Sequence, residues 1–171
     1  NRAKHLLDAG VVTDPAKLPA SRFLSDIKAG KLPPVTFYKP QGSVNEHASY
    51  ANVSDGEQHV ATLLAALKAS PQWNHMLVVV TYDEFGGWWD HVAPPKGDRF
   101  GPGTRIPALI ISPYARKGVV DHTQYDTTSI LRFITERWKL PVLPGLKMRD
   151  DALVAHGHPR MGDLTKALVL R

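Results

Sequence analysis

The apolar run Met76-Leu77-Val78-Val79-Val80, followed by Thr81-Tyr82-Asp83-Glu84-Phe85-Gly86-Gly87, narrows what this chain can fold into more than any other stretch. A continuous apolar run rich in valine suits a strand buried on both faces, as the strands of parallel sheets are. Two carboxylates then stand where such a strand ends, and Gly86 and Gly87 allow an immediate turn. Open α/β sheets bind ligands beyond the carboxyl ends of their strands. Acids at that place point to a hard cation, a proton-transfer site, or both. Neighbouring side chains of a regular strand face opposite ways, so Asp83 and Glu84 can meet one ion only if the strand breaks. The glycine pair supplies that break. The plainer alternative is two solvated acids in a turn.

The elements around this run predict an α/β fold. Residues 1–9 suit a short helix ended by Gly10, and Ser21 can cap a helix through Ala29 that Gly30 stops. Residues 33–38 read as a short strand and 39–53 as a loop. Ser54-Asp55-Gly56-Glu57 has the spacing of a capping box, and Val60, Leu63, Leu64 and Leu67 share the helical face beyond it. With a strand over 76–82 this order predicts a βαβ unit with a right-handed crossover. A Pro/Gly-rich loop over 93–104 leads to a second buried strand at 107–113. Asp126 can cap a helix to about Trp138, with Ile130, Leu131, Ile134 and Trp138 inward and Pro141 ending it. Residues 142–171 read mostly as loop, with a short terminal helix capped by Asp163. No repeat or low-complexity stretch interrupts residues 1–171, which are expected to form a single unit.

Composition excludes several functions. The 171 residues suffice for one domain with a real core. The chain has no cysteine, which removes disulfides and thiolate ligands. No apolar run approaches the ~18 residues of a membrane span. The net charge of +5 suits an anionic substrate or surface, but the basic residues are scattered, which argues against a nucleic-acid patch. The chain starts at Asn1 with no signal peptide, so it is expected to be mature, trimmed or part of something longer.

Other residues carry candidate chemistry. His47, in Asn45-Glu46-His47-Ala48, lies in a polar stretch without helical or strand period. A loop histidine can hold a phosphate oxygen or a leaving group near neutral pH, and it can equally be a surface residue. Asp90 and His91 can back up a ligand carboxylate, or Asp90 can cap its loop while His91 packs on Trp88 or Trp89. Trp88 and Trp89 suit a substrate mouth or a sealed core edge. Arg99 and Arg105 suit an anionic group or surface ion pairs. His122 reads as a helix-entry residue. His156 and His158 lack a further spaced ligand for zinc. There is no Gly-x-Ser-x-Gly elbow, P-loop, Gly-x-Gly-x-x-Gly or His-Glu-x-x-His, and no nucleophile is visible.

Tyr82-Asp83-Glu84-Phe85-Gly86-Gly87-Trp88-Trp89-Asp90-His91-Val92-Ala93-Pro94-Pro95 closely resembles the signature of the bacterial phosphoesterase family, which contains exported acid phosphatases and non-haemolytic-type phospholipases C. Asn45-Glu46-His47, Ser70-Pro71-Gln72-Trp73, Gly101-Pro102-Gly103-Thr104-Arg105-Ile106-Pro107 and Tyr125-Asp126-Thr127-Thr128-Ser129-Ile130-Leu131 follow the same order. The resemblance runs from about residue 35 to 168. It implies part of an alkaline-phosphatase-like mixed sheet flanked by helices. It implies a divalent metal ion held by Asp83 and Glu84, with Asp83 the firmer match, and an active-site role for His47. Family members are much longer, and their earlier part supplies the Ser or Thr nucleophile and the other ligands. The resemblance therefore implies the C-terminal portion of a larger periplasmic or secreted enzyme.

The expected parent activity is metal-dependent hydrolysis of phosphate monoesters, as in the acid phosphatases. Phospholipase C activity is the alternative, with Trp88 and Trp89 candidates for caging a choline ammonium. The rival of another class is a non-catalytic module, inactive by itself. The expected partners are a phosphate ester, the missing N-terminal portion of the same protein, and further copies through exposed apolar surface. Nucleic acid and a transmembrane segment are not expected.

Overall fold

The computed structural model describes residues 22–169, which fall into two compact units, one ending at Met76 and the other beginning at Leu77. The helix expected over residues 1–9 and the Ser21 cap lie outside the described residues.

In the first unit, α1 (Arg22–Ala29) buries Phe23 and Ile27. These positions are four apart and so lie on one helical face. Gly30 ends the helix at φ 65°, a conformation that costs glycine nothing, and Lys31 N–H reaches back to the Asp26 carbonyl at 2.8 Å. The longer α2 (Val53–Lys68) buries Gly56, His59, Leu63 and Leu67 along one seam. Leu63 and Leu67 fall on the expected face, with Val60 and Leu64 half-buried beside them. The cap differs from expectation. Asn52, not Ser54, takes the Asp55 N–H at 2.8 Å, and its amide returns a bond to the Asp55 carboxylate at 2.6 Å. The cap sits two residues earlier because Val53 and Ser54 already have helical geometry.

Residues 33–38 form no strand. Pro33, Pro34 and Pro40 lack the N–H groups a ladder needs. The segment is held by side chains instead. Tyr38 stacks on Phe23 at 4.6 Å between ring centroids and shares a 2.8 Å hydrogen bond with His59 Nε2. The Gln72 amide brackets Leu32, accepting its N–H at 2.9 Å and donating to its carbonyl at 3.1 Å. Ser70 donates to the Ile27 carbonyl at 2.7 Å. The Ser70-Pro71-Gln72 turn thus ties the end of α2 to the end of α1.

In the second unit, β1 (Val78–Thr81) pairs with β2 (Ala108–Ile111), with Val78 opposite Ile111 and Thr81 opposite Ala108. The fold is α/β, but this pair is antiparallel, which corrects the parallel-sheet reading, and the expected βαβ unit does not form because residues 33–38 are not a strand. Parallel neighbours need a crossover, usually a helix, and the segment between these strands contains none. Nor are the strands buried on both faces among the described residues. β1 is half-buried throughout, and Ala108 and Leu109 of β2 are exposed.

Helices α3 (Thr128–Trp138) and α4 (Pro144–Ala155) follow. Asp126 anchors the start of α3, accepting from Thr128 N–H at 2.9 Å. The inward face of α3 is not the expected one. Ser129 and Thr135 are buried, while Leu131 and Trp138 are exposed. The reason is α4, a helix where loop is expected. Its seam is Leu146, Arg149, Asp150 and Leu153, half apolar and half charged, so a search for apolar period passes over it. Pro144 suits its first turn, where no N–H is needed. Arg132 of α3 forms a two-pronged ion pair with Asp150 of α4, both bonds 3.0 Å. Arg149 binds Asp98 at 2.6 Å and also binds Asp126, linking α4 to the Pro/Gly-rich loop and to the start of α3. Beyond α4 comes a single 3-10 turn at Thr165–Ala167 whose N-cap is Leu164; Asp163 accepts the Thr165 N–H at 3.0 Å, and Arg116 N–H donates to the Ala167 carbonyl at 2.9 Å.

Candidate functional site

The acidic pair stands where the sequence placed it, just past β1. The chain leaves the strand after Thr81 and bends at Asp83 and Glu84, both exposed. Glu84 Oε2 accepts the Gly86 N–H at 2.8 Å, which folds the side chain back onto the turn. Gly86 and Gly87 have φ of 68° and 77°, and the Trp88 N–H closes the turn on the Phe85 carbonyl at 3.2 Å. Two successive positive φ values are cheap only for glycine, so the sharp break depends on this pair.

Asp90 then locks the loop. It takes the Val92 N–H at 3.0 Å, as a loop cap does. It also takes the Arg105 backbone N–H at 3.1 Å, Arg105 Nε at 2.9 Å and Arg105 Nη2 at 2.8 Å. These hydrogen bonds to the charged form, led by that from the Arg105 side chain, hold the Asp90 carboxyl well below the ordinary carboxylate range and push the guanidinium up. Arg105 is therefore engaged within the protein. Arg99 lies over the Phe100 ring at 4.5 Å.

His91 Nδ1 is 3.9 Å from Asp90, and its ring is 6.3 Å from that of Trp89. Trp88 and Trp89 are 71% and 86% exposed and do not seal a core edge among the described residues. With Phe85, His91, Arg105 and Pro107 they line an open groove of about 510 Å³. His122 is exposed, ahead of α3. His156 Nδ1 donates to the Ala152 carbonyl at 2.7 Å and so caps α4.

His47 belongs to the other unit. Its backbone N–H donates to Asn45 Oδ1 at 2.9 Å, and its ring stacks on Tyr50 at 4.5 Å with 18° between planes. Nδ1 lies 2.6 Å from the Ala48 carbonyl, which can only accept, so Nδ1 carries a proton. The imidazole is exposed, and among the described residues Nε2 has no hydrogen-bond partner. Asn45 also donates to the Tyr50 hydroxyl at 3.1 Å. A loop cap for Asp90 and an ion pair for Arg105 were both expected, but their pairing with each other was not, and neither was the Tyr50 stack, for which the Asn45-x-His47 spacing of an Asx turn is the local signal.

Asp83 and Glu84 offer hard oxygen donors suited to a divalent cation. Among the described residues no group of three or more His, Cys, Asp or Glu could hold a metal ion. The donor chemistry fits a hard cation, while the pair is two donors where such ions take about six.

A sequence model of the phosphoesterase family matches residues 2–141. The chain belongs to the phosphoesterase family. Phospholipase C B of Mycobacterium tuberculosis is 32% identical over 84% of this phosphoesterase chain and 30% of its own length. Non-specific phospholipase C6 of Arabidopsis thaliana is 32% identical over 70% of the chain and 29% of its own length. Non-specific phospholipase C3 of the same plant reaches 36% identity over 81% of the chain and 33% of its own length. The chain thus spans about a third of the length of these relatives.

Proposed function

We propose that this phosphoesterase chain is part of a phosphoric ester hydrolase of the phospholipase C kind, to which it contributes a positioned histidine and a pair of ligand carboxylates. The observation that carries the reading is identity of about a third, over most of this chain, to proteins named phospholipase C. Those names favour a phospholipid over the phosphate monoester that the motifs alone suggested.

His47 meets the requirements of a group that handles phosphate. Its ring is fixed in plane, Nδ1 is satisfied by the backbone, and Nε2 can donate to a phosphoryl oxygen or a leaving group when protonated. Asp83 and Glu84 would hold a divalent cation, which when bound supplies charge stabilisation for phosphoryl oxygens. The break at Gly86-Gly87 lets both carboxylates leave the strand, and the Asp90–Arg105 lock fixes the loop behind them. The nucleophile and further ligands are proposed to lie on polypeptide outside these residues. Export of the parent is a proposal resting on the family resemblance, and fractionation of a tagged parent tests it.

Two measurements test the reading. The longer parent polypeptide should release diacylglycerol from phosphatidylcholine. His47→Ala and Asp83→Asn should each lower kcat by about a hundredfold or more, with Asp83→Asn weakening activation by added divalent ion. Turnover of p-nitrophenyl phosphate but not phosphatidylcholine would return the assignment to a monoesterase. The 171-residue chain by itself should show no turnover of either ester.

A further inference from the structure

The turn carrying His47 is strained on both sides. Glu46 has φ 61° and Ser49 has φ 76°, and neither is glycine. Such backbone is uncommon for residues other than glycine and persists where the surroundings hold it. Here the Glu46 side chain lies over Gly56 of α2 so closely that a Cβ there would overlap it. The Ala51 N–H closes the turn on the His47 carbonyl at 3.1 Å.

The side chains that finish the turn are not core residues. Tyr50 is 60% exposed, yet its ring is stacked on His47 and its hydroxyl is held by Asn45, the residue that also takes the His47 N–H. Asn45, His47 and Tyr50 thus form a closed ring of contacts at the surface. Together these contacts fix the orientation of one exposed imidazole.

We propose that Tyr50 is a positioning residue for His47. Its ring sets the imidazole plane and its hydroxyl, through Asn45, locks the turn, so that Nδ1–H stays on the Ala48 carbonyl and Nε2 faces outward. The proposal rests on His47 being the working histidine.

The test needs no turnover. In the 171-residue chain labelled with ¹⁵N-histidine, ring shifts at about pH 8 report which nitrogen carries the proton. The unaltered chain should show the Nδ1–H form for His47. Tyr50→Ala should convert it to a mixture of the two forms, Tyr50→Phe should retain most of the original pattern, and Asn45→Ala should fall between them. Unchanged His47 shifts in Tyr50→Ala would overturn the proposal. Should Tyr50→Ala fail to fold, Asn45→Ala decides, and unchanged shifts there overturn it equally. In the parent enzyme Tyr50→Ala should lower kcat about tenfold or more with KM nearly constant, as misplacement of a reacting group does, and Tyr50→Phe should recover most of it. If His47→Ala leaves the parent active while the shifts respond to Tyr50, the role of His47 fails and its positioning stands.

Discussion

Two histidines of the first unit show how surroundings divide one side chain into two uses. His47 is exposed with a single ring nitrogen engaged. His59 is 4% exposed, pairs through Nε2 with Tyr38, and has Nδ1 buried without a partner among the described residues. Burial holds the His59 pKa below its ordinary 6.5 and pushes the Tyr38 hydroxyl up to about 12. The sign for histidine follows directly. The unfolded ring takes its proton first as pH falls, so stability is full above about 6.5 and declines below it, until the folded ring is protonated too. Urea midpoints of the chain should therefore fall from pH 7 to pH 5, and His59→Leu should flatten that slope. An equally steep slope in the variant would remove His59 as its source. For Tyr38 the stabilising contribution is present below pH 10 and is lost as pH rises toward 12.

At the scale of elements, α4 is the instructive case. Its seam is held by Arg149 and Asp150 as much as by Leu146 and Leu153. Asp98 and Asp126 share the Arg149 guanidinium, and the three side chains are at most 10% exposed. Removing the cation leaves two nearly buried carboxylates facing each other. Arg149→Met should cost about 3 kcal/mol or more in urea denaturation, as breaking buried pairs does. Combining it with Asp98→Asn and Asp126→Asn should restore much of that loss. A single variant as stable as the original would show that the pairs are solvated. The same charged seam explains the α3 face. Ser129 and Thr135 turn inward because Arg132 must reach Asp150, and the apolar Leu131 and Trp138 are left outside.

At the scale of the whole chain, apolar side chains remain uncovered among the described residues. Leu109 of β2 is 57% exposed, with Leu131, Trp138 and both adjacent tryptophans also open to solvent. Among the described residues the sheet has only two strands, and the outer edge of a strand is a template for further pairing. The chain should therefore self-associate as its concentration rises, with light scattering giving a mass above 18.9 kDa. A monodisperse monomer at high concentration would count against this.

Much of this was legible without coordinates, because it depends on local chemistry. Apolar period marked α2, the valine run marked β1, and the Gly86-Gly87 pair marked the break that frees Asp83 and Glu84. The motifs named the family. What stayed hidden depends on residues distant along the chain. The direction of the β1–β2 pairing, the charged seam of α4 and the Asp90–Arg105 lock each join groups that no short window contains. Even the Tyr50 stack, close in sequence, exists only because Glu46 and Ser49 adopt left-handed backbone that the tertiary packing holds in place. Sequence alone determined which residues can carry the chemistry, since residue type and spacing set donors, charges and turns. Tertiary structure decided which of those groups are spent on one another and which face outward, because a hydrogen bond or ion pair forms only where the folded chain brings its partners within reach.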